Sequence, residues 1–264
     1  MTTIQIVDVY GGNSAANVTK AINATAGVVV KASEGDVADV RHAAIVAQAR
    51  KAKKLVGHYH FPWMSHDPVD AANRLFVAVA KPLPGDTLWL DYESNAVYTA
   101  AQWLTNSKLR AAWTCAFITA VNKTTGAKCG IYANTSDWAD LLGAATAAQK
   151  KILLAAPLWI ADPNHPMGKP GITQPWVMQQ YGSAGGIDRD IFDGDAAKWL
   201  LLGVPLPVVK PVAPVVKPVV LPPVVATPIV KPVVPVVSPE AATVAVEPPK
   251  PVGKIAALLQ RFGF

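Results

Sequence analysis

The chain has 264 residues, 51% of them apolar and only 16% charged, which is enough for one substantial core and argues for a single main domain. Its formal charge of +6 is unevenly placed: residues 204–264 carry six basic and two acidic side chains, so most of the excess lies outside the first 203 residues. That distribution excludes a basic face built for nucleic acid. No apolar run free of charge and proline reaches the ~18 residues that a membrane-spanning helix needs. The opening MTTIQIVDVYGG lacks a basic segment and meets an acid at Asp8, so it does not read as a signal peptide. Cys115 and Cys129 match no zinc spacing and are too few for a disulfide framework; both read as reduced core thiols.

In chain order, the strand candidates are Ile4–Val9, Val28–Ala32, Leu55–Phe61, Thr87–Tyr92, Cys129–Ala133, Pro157–Ala161, Trp176–Gln180 and Ile187–Phe192. Helical patterns fill the early gaps, over Ser14–Ala24, Val37–Lys54, Pro68–Lys81, Thr99–Asn122 and Ser136–Leu142. Capping residues stand at Asn13-Ser14 and at Asn134-Thr135-Ser136, and the second helix turns basic at its end, at Arg50, Lys51, Lys53 and Lys54. Strand–helix alternation predicts parallel strands with helices outside, and eight strands predict a closed β/α barrel. The late gaps break the alternation. Between Ala161 and Trp176 the chain is rich in Pro, Gly, His and Asn, and between Gln180 and Ile187 it carries Gly182, Gly185 and Gly186. The predicted fold is therefore an irregular β/α barrel, five strand–helix units followed by three strands joined by loops or turns, with an open doubly wound sheet as the runner-up.

Residues 204–252 differ in kind: 32 of these 49 positions are proline or valine. Proline removes backbone donors and disfavours helix in the residue before it, so this linker is expected to be a disordered, polyproline-like spacer of at most roughly 150 Å. Residues 253–264 form a short amphipathic pattern, with Ile255, Leu258, Leu259 and Phe262 on one side. Such a segment could touch a membrane or a wall, but a helix this short is unstable alone. The division predicted is a barrel domain over 1–203, a linker over 204–252 and a terminal segment over 253–264.

The strongest chemical signal is TLWLDYES at Thr87–Ser94. Side chains alternate along a strand, so Trp89, Asp91 and Glu93 share one face while Leu88, Leu90 and Tyr92 share the other. In a barrel the first set faces the interior, and its two carboxylates stand near the strand's carboxyl end, where barrel enzymes keep their chemistry. One carboxyl kept protonated beside one that stays ionised is an arrangement able to cleave a glycosidic bond; an acidic, solvated turn is the bland alternative. Asp8 ends the first strand on the face of Ile4 and Ile6, and Asp188 and Asp190 lie in the last strand. Closure makes first and last strands neighbours, so these acids are expected to converge with the Asp91–Glu93 pair.

Eight segments, in order, carry a resemblance: IQIVDVY with Asp8; VVVKASEG around Lys31 and Glu34; VGHYHFPW at Val56–Trp63; LWLDYE at Leu88–Glu93; GIYAN at Gly130–Asn134; LWIA at Leu158–Ala161; QQYG at Gln179–Gly182; and GIDRDIF at Gly186–Phe192. Over about 1–200 the chain resembles glycoside hydrolase family 25, the lysozymes or N-acetylmuramidases common among phage endolysins. The resemblance implies an irregular barrel of five strand–helix units and three strands, acting on the β-1,4 bond between N-acetylmuramic acid and N-acetylglucosamine of bacterial peptidoglycan. It implies that Glu93 is the general acid, that Asp91 is either nucleophile or orienter of the substrate's acetamido group, and that Asp8 and Asp188 complete the catalytic set. Three positions depart from the pattern: Tyr10 replaces a serine, Asp162-Pro163 replaces an aromatic, and the late Asp-x-Asn reads Asp188-Arg189-Asp190.

Aromatic side chains near strand ends suit the apolar faces of pyranose rings, which makes Tyr10, Tyr59, Trp63, Trp159 and Tyr181 substrate-binding candidates; each is equally an ordinary core residue. Glu34, Asp190 and His60 join them as polar candidates. His58 and His60 also support a rival reading, a metal-dependent hydrolase holding an ion with Asp8 or Asp188. A carbohydrate-binding barrel without turnover is the third reading. The expectation overall is a monomeric glycosidase needing no cofactor or metal, with peptidoglycan as partner. It is expected to accumulate in the host cytoplasm and to reach the wall through another factor.

Overall fold

The computed structural model describes residues 2–94 and 102–206. The predicted linker and terminal segment, apart from the first three linker residues, lie outside these, as does the start of the helix expected from Thr99.

The elements run β1 (Ile4–Val9), α1 (Ala15–Ala24), β2 (Gly27–Glu34), β3 (Val37–Ala38), α2 (His42–Lys51), β4 (Leu55–Phe61) and α3 (Pro68–Asp70). A π-helical stretch (Ala71–Val77) continues directly into α4 (Ala78–Ala80). Then follow β5 (Thr87–Asp91), α5 (Ser107–Thr125), β6 (Gly130–Asn134), α6 (Thr135–Ala144), α7 (Ala147–Ala155), β7 (Leu158–Ala161), β8 (Met178–Ala184), β9 (Ile187–Phe192) and α8 (Ala196–Leu200).

Eight of the nine strands close into a barrel in the order β1-β9-β8-β7-β6-β5-β4-β2, with β1 pairing β2 to shut it and β3 added to β2 as a short hairpin. This is the irregular β/α barrel with five strand–helix units and three further strands; the open-sheet alternative fails because β1 hydrogen-bonds to both β2 and β9. Six neighbouring pairs are parallel, while β9 runs antiparallel to both β8 and β1. A hairpin needs no crossover, which is why so few residues suffice between β8 and β9.

Alternation sorts the side chains into two layers. Ile6, Val29, Tyr59, Trp89, Trp159, Met178 and Phe192 point inward and fill the barrel. Leu88, Leu90 and Tyr92 point outward and pack with Phe117, Ile118 and Ile131 under the helices, and Val7, Val9, Val28 and Val30 do the same beneath α1 and α2. The two predicted faces of TLWLDYES are thus the two faces observed. Trp199, from α8, is fully buried among the inward residues and meets Phe192 edge-to-face at 5.2 Å. It sits beside Gly57 at the amino end of the strands, and Val204 N donates to Asp86 O at 2.9 Å, so this helix plugs the base of the barrel.

Several boundaries differ from the expected ones for identifiable reasons. The helix expected from Val37 begins at His42, because Val37 and Ala38 pair back onto β2 across a turn in which Gly35 takes a left-handed φ of +52°. Asp39 then fixes the hairpin's exit, accepting hydrogen bonds from Gly11 N at 2.7 Å and Arg41 N at 2.9 Å. Helix α7 was not expected, yet Thr146 and Gln149 form a reciprocal capping box at its start. Cys115 and Cys129 are free and buried, and burial pushes the Cys115 thiol up to about 11.

Trp199→Ala removes a large side chain from a filled barrel end, which costs about 3–5 kcal/mol for a buried tryptophan. Urea denaturation of the variant should show the midpoint falling accordingly.

Candidate active site

The mouth of the barrel, at the carboxyl ends of the parallel strands, holds a cavity of about 200 Å³. Asp8, Asp91, Glu93 and Asp188 line it together with Tyr10, Lys31, Tyr59, Phe61, Tyr132, Trp159 and Gln180. Each acid arrives there by strand alternation. Asp8 follows inward Ile4 and Ile6 on β1, and Asp91 ends β5 two residues after inward Trp89. On β9, Ile187 packs outward beneath α1, so Asp188 and Asp190 face in. Asp8 lies directly opposite Asp188 in the antiparallel register, and Ile6 lies opposite Asp190.

Burial dominates the electrostatics. It raises the Asp8 carboxyl to about 7, with the nearby Asp188 charge adding to the shift, while a hydrogen bond from Gln180 Nε2 at 3.2 Å opposes it. Burial also holds Asp91 well above the usual carboxylate range; Glu93, in hydrogen-bonding contact with it, pushes the same way, and the Lys31 ammonium pulls back. Asp190 is fully buried and raised for the same first reason, with Asp8 as the next cause. Its Oδ1 accepts from Trp159 Nε1 at 2.8 Å. Asp188, more open to solvent, is raised by burial alone. Like charges packed this closely hold protons that isolated carboxylates would have released near pH 4.

A short relay orders the floor. Tyr132 Oη donates to Gln180 Oε1 at 3.0 Å, and the same amide donates to Asp8. Tyr132 and Trp89 pack edge-on against Trp159, with centroids 4.7 and 5.6 Å away respectively. Lys31, from β2, pairs with Glu34 and sits over the rings of Phe61 and Tyr10, at 4.8 and 5.6 Å from their centroids. Beyond Tyr10 and Lys31 the mouth widens into a hollow of about 370 Å³ lined by Glu34, Val37, Asp39, Val40 and Trp63.

The structure thus brings together Asp8, Asp91, Glu93 and Asp188 with Tyr10, Tyr59 and Trp159 in the mouth, and Glu34 and Trp63 in the adjoining hollow. Asp190 lies beneath them, bonded to Trp159. Two candidates are elsewhere. Tyr181 sits in a bulge of β8, where the register with β9 shifts between Gln180 and Gly182, and it lines a separate groove outside the barrel. His60 points outward on β4, stacked between Phe76 and Phe117 with Nδ1 2.9 Å from Ser33 Oγ, so it belongs to the helix layer and not to the cleft. Burial lowers its imidazole to about 3.

His58 also points outward. Its Nε2 is 3.0 Å from Asp86 Oδ2 and its Nδ1 is 2.9 Å from His42 Nε2, while Arg50 closes the chain on Asp86 at 2.5 Å. Burial, and then His58, lowers His42 to about 4. The metal reading fails on this geometry, because His58 and His60 lie on the face of β4 opposite Tyr59 and the acids. Among the described residues, no group of three or more His, Cys, Asp or Glu is placed to hold an ion.

Sequence reasoning did not single out Lys31, Phe61, Tyr132 or Gln180 as site residues, although each stands at an inward position near a strand's carboxyl end. Asp162, one of the departures noted above, is a loop anchor: it accepts from Gly171 N at 2.8 Å and lies 2.9 Å from His165 Nδ1. Gln179 works from the other side, its Oε1 accepting from Gly168 N at 2.6 Å and its Nε2 donating to Asp162 O at 3.0 Å.

Residues 7–190, from β1 into β9, match the family model described as Glycosyl hydrolases family 25. The chain belongs to that family. It is a glycosidase, and the match takes in β2 to β8 entire with parts of β1 and β9. Family 25 lysozyme from Aspergillus fumigatus shares the fold at 24% identity and a TM-score of 0.64, covering 76% of this chain and 99% of its own. The bacterial lysozyme of Streptomyces coelicolor matches at 23% identity and 0.62, covering 77% and 98%. The catalytic domain of an endolysin from a bacteriophage of Listeria monocytogenes matches at 23% identity and 0.57, covering 76% and 98%. No curated protein matches the chain.

The raised Asp8 carboxyl makes a signed prediction for this family 25 barrel. A carboxyl that titrates near 7 when folded, and near 3.8 otherwise, favours folding while protonated and loses that contribution as pH rises between these values. Asp8→Asn should therefore gain stability relative to wild type between pH 4 and pH 7, and the gap should be constant outside that window. Thermal denaturation across pH 3–8 measures the difference.

Proposed function

We propose that this glycosidase is a lysozyme that hydrolyses the β-1,4 bond between N-acetylmuramic acid and N-acetylglucosamine in peptidoglycan. The observation that carries the reading is the Asp91–Glu93 pair: two carboxyls in contact at the end of β5, one buried and raised, facing a mouth lined with aromatic rings. Membership of family 25 and the likeness to lysozymes and muramidases support the substrate.

In this reading Glu93, the less buried of the two, donates its proton to the glycosidic oxygen as the bond to the anomeric carbon breaks. Asp91 lies beside Glu93, with no room for a sugar ring between the two carboxyls. That favours Asp91 as the group that orients the substrate's acetamido for internal attack, with the acetamido oxygen as nucleophile. Lys31 moderates the upward shift of Asp91 and so helps it act as an acceptor for the acetamido N–H. Asp8 and Asp188 complete the set, holding the sugar and tuning the charge around the pair. Tyr10, Tyr59 and Trp159 offer ring faces or edges to the pyranose, and Trp63 with Glu34 extends the surface along the polymer.

Reducing-sugar release from purified peptidoglycan tests the chemistry. Wild type should release sugar with and without EDTA. Glu93→Gln should lose at least 10³-fold and Asp91→Asn about 10²-fold, the scale of removed acid–base groups. Loss of activity on chelation, or a Glu93→Gln variant as active as wild type, would overturn the assignment.

The likeness to a phage endolysin domain supports a role in host lysis, with the enzyme stored in the cytoplasm until the membrane is breached. Cells expressing the protein alone should remain intact and lyse once a membrane-permeabilising agent is added. Lysis by the protein alone would overturn that role.

A further inference from the structure

The mouth is not the only built cavity of the barrel. A groove of about 290 Å³ runs down the outer flank between α1 and the β8–β9 hairpin. It exists because β8 turns straight into β9 at Gly185-Gly186, both with left-handed φ, so no crossover helix covers this side of the sheet. Strand alternation turns Tyr181 into the groove while its neighbour Gln180 faces the inside of the barrel.

Charge distinguishes the groove from the mouth. Lys20 from α1 and Arg189 from β9 line it, no carboxylate does, and neither cation is in an ion pair among the described residues. Lys54 adds a third ammonium at one end, donating to the carbonyl of lining residue Thr25 at 2.7 Å. The mouth, by contrast, is lined by four carboxyls and one lysine. The two sites stand back to back across one strand, for Asp188 and Arg189 are consecutive and point to opposite faces of β9. Only the hairpin lip separates them. Asn13 and Asn17 hold that lip to the start of α1, donating to Gly186 O at 2.9 Å and Gly185 O at 2.7 Å.

We propose that this flank is a second binding site, taking the carboxylates of peptidoglycan stem peptides while the glycan occupies the mouth. The proposal rests on the peptidoglycan reading above. A polymer threading the mouth passes over the lip, and its anionic substituents are attracted to the cations immediately outside it. Arg189 supplies a planar fork suited to a carboxylate, Lys20 a second charge from the opposite wall, and Tyr181 a flat amphipathic surface between them.

The test is co-sedimentation of full-length protein carrying Glu93→Gln, which binds without cutting, with sacculi freed of phosphate-containing wall polymers. Adding K20S and R189S should weaken binding about tenfold, the scale of two solvent-exposed ion pairs. The loss should shrink at high salt and be absent on glycan strands stripped of peptides. Both side chains are exposed, so the melting temperature should be unchanged. With Glu93 intact, K20S/R189S should cut short peptide-free glycans as wild type does. Equal binding of the two proteins to sacculi overturns the proposal, as does an equal loss on peptide-free strands. A loss confined to walls that retain phosphate polymers also overturns it, and assigns the flank to phosphate. If the parent neither binds peptidoglycan nor, with Glu93 restored, releases sugar from it, the substrate reading itself fails.

Discussion

Closing a sheet on itself commits every second residue of every strand to a shared interior, and the parallel strands bring their carboxyl ends to one rim. That constraint decides where this protein can do chemistry. Inward residues along most of each strand, such as Ile6, Val29, Trp89 and Met178, must be apolar because they fill a space without water. The last inward residue of each is released from that requirement. At those positions the chain carries Asp8, Lys31, Asp91 and Gln180, and from the reversed strand Asp188.

A rim crowded with acids has an electrostatic consequence. Burial and mutual repulsion leave Asp8, Asp91 and Asp190 reluctant to ionise, while the Lys31 ammonium pulls Asp91 the other way. The rim thus gathers carboxyls that keep their protons to higher pH than isolated ones do. Trp159, Tyr132 and Gln180 hold two of the acids in place, through the bond to Asp190 and the relay to Asp8. These aromatic and amide side chains therefore anchor the acids as well as line the mouth.

Much of this was legible in the sequence because period-two alternation is a local property. Asp91 with Glu93, and Asp8 with Ile4 and Ile6, could be assigned to one face without any tertiary information. The outward-facing histidines had the same legible parity: His58 and His60 alternate with Tyr59, so assigning Tyr59 inward already sends both imidazoles to the helix layer. Tyr181 was legible in the same way: one residue beyond inward Gln180, it falls on the outer face with Gln179. Helix α2 was expected too early because β3 is only two residues long and its hairpin depends on Gly35 and on Asp39 reaching back to Gly11. Lys31 and Gln180 were hidden for another reason. Their importance comes from neighbours on other strands, and no single stretch of chain displays a neighbour.

The reversed direction of β9 bears on how the protein acquires its activity. Asp8 stands in the first strand of the barrel, yet its charge environment is set by Asp188, Asp190 and Gln180, the last of these 172 residues away in sequence. Contacts of such long sequence separation slow folding, because the entropy of closing the loop is lost before they form. A nascent chain that has completed β5 already holds Asp91 and Glu93, but no closed rim surrounds them. Before β9 fills the gap between β8 and β1, Asp8 lacks the burial and the Asp188 charge that raise its carboxyl. The electrostatic character of the mouth therefore depends on barrel closure and not on any single strand.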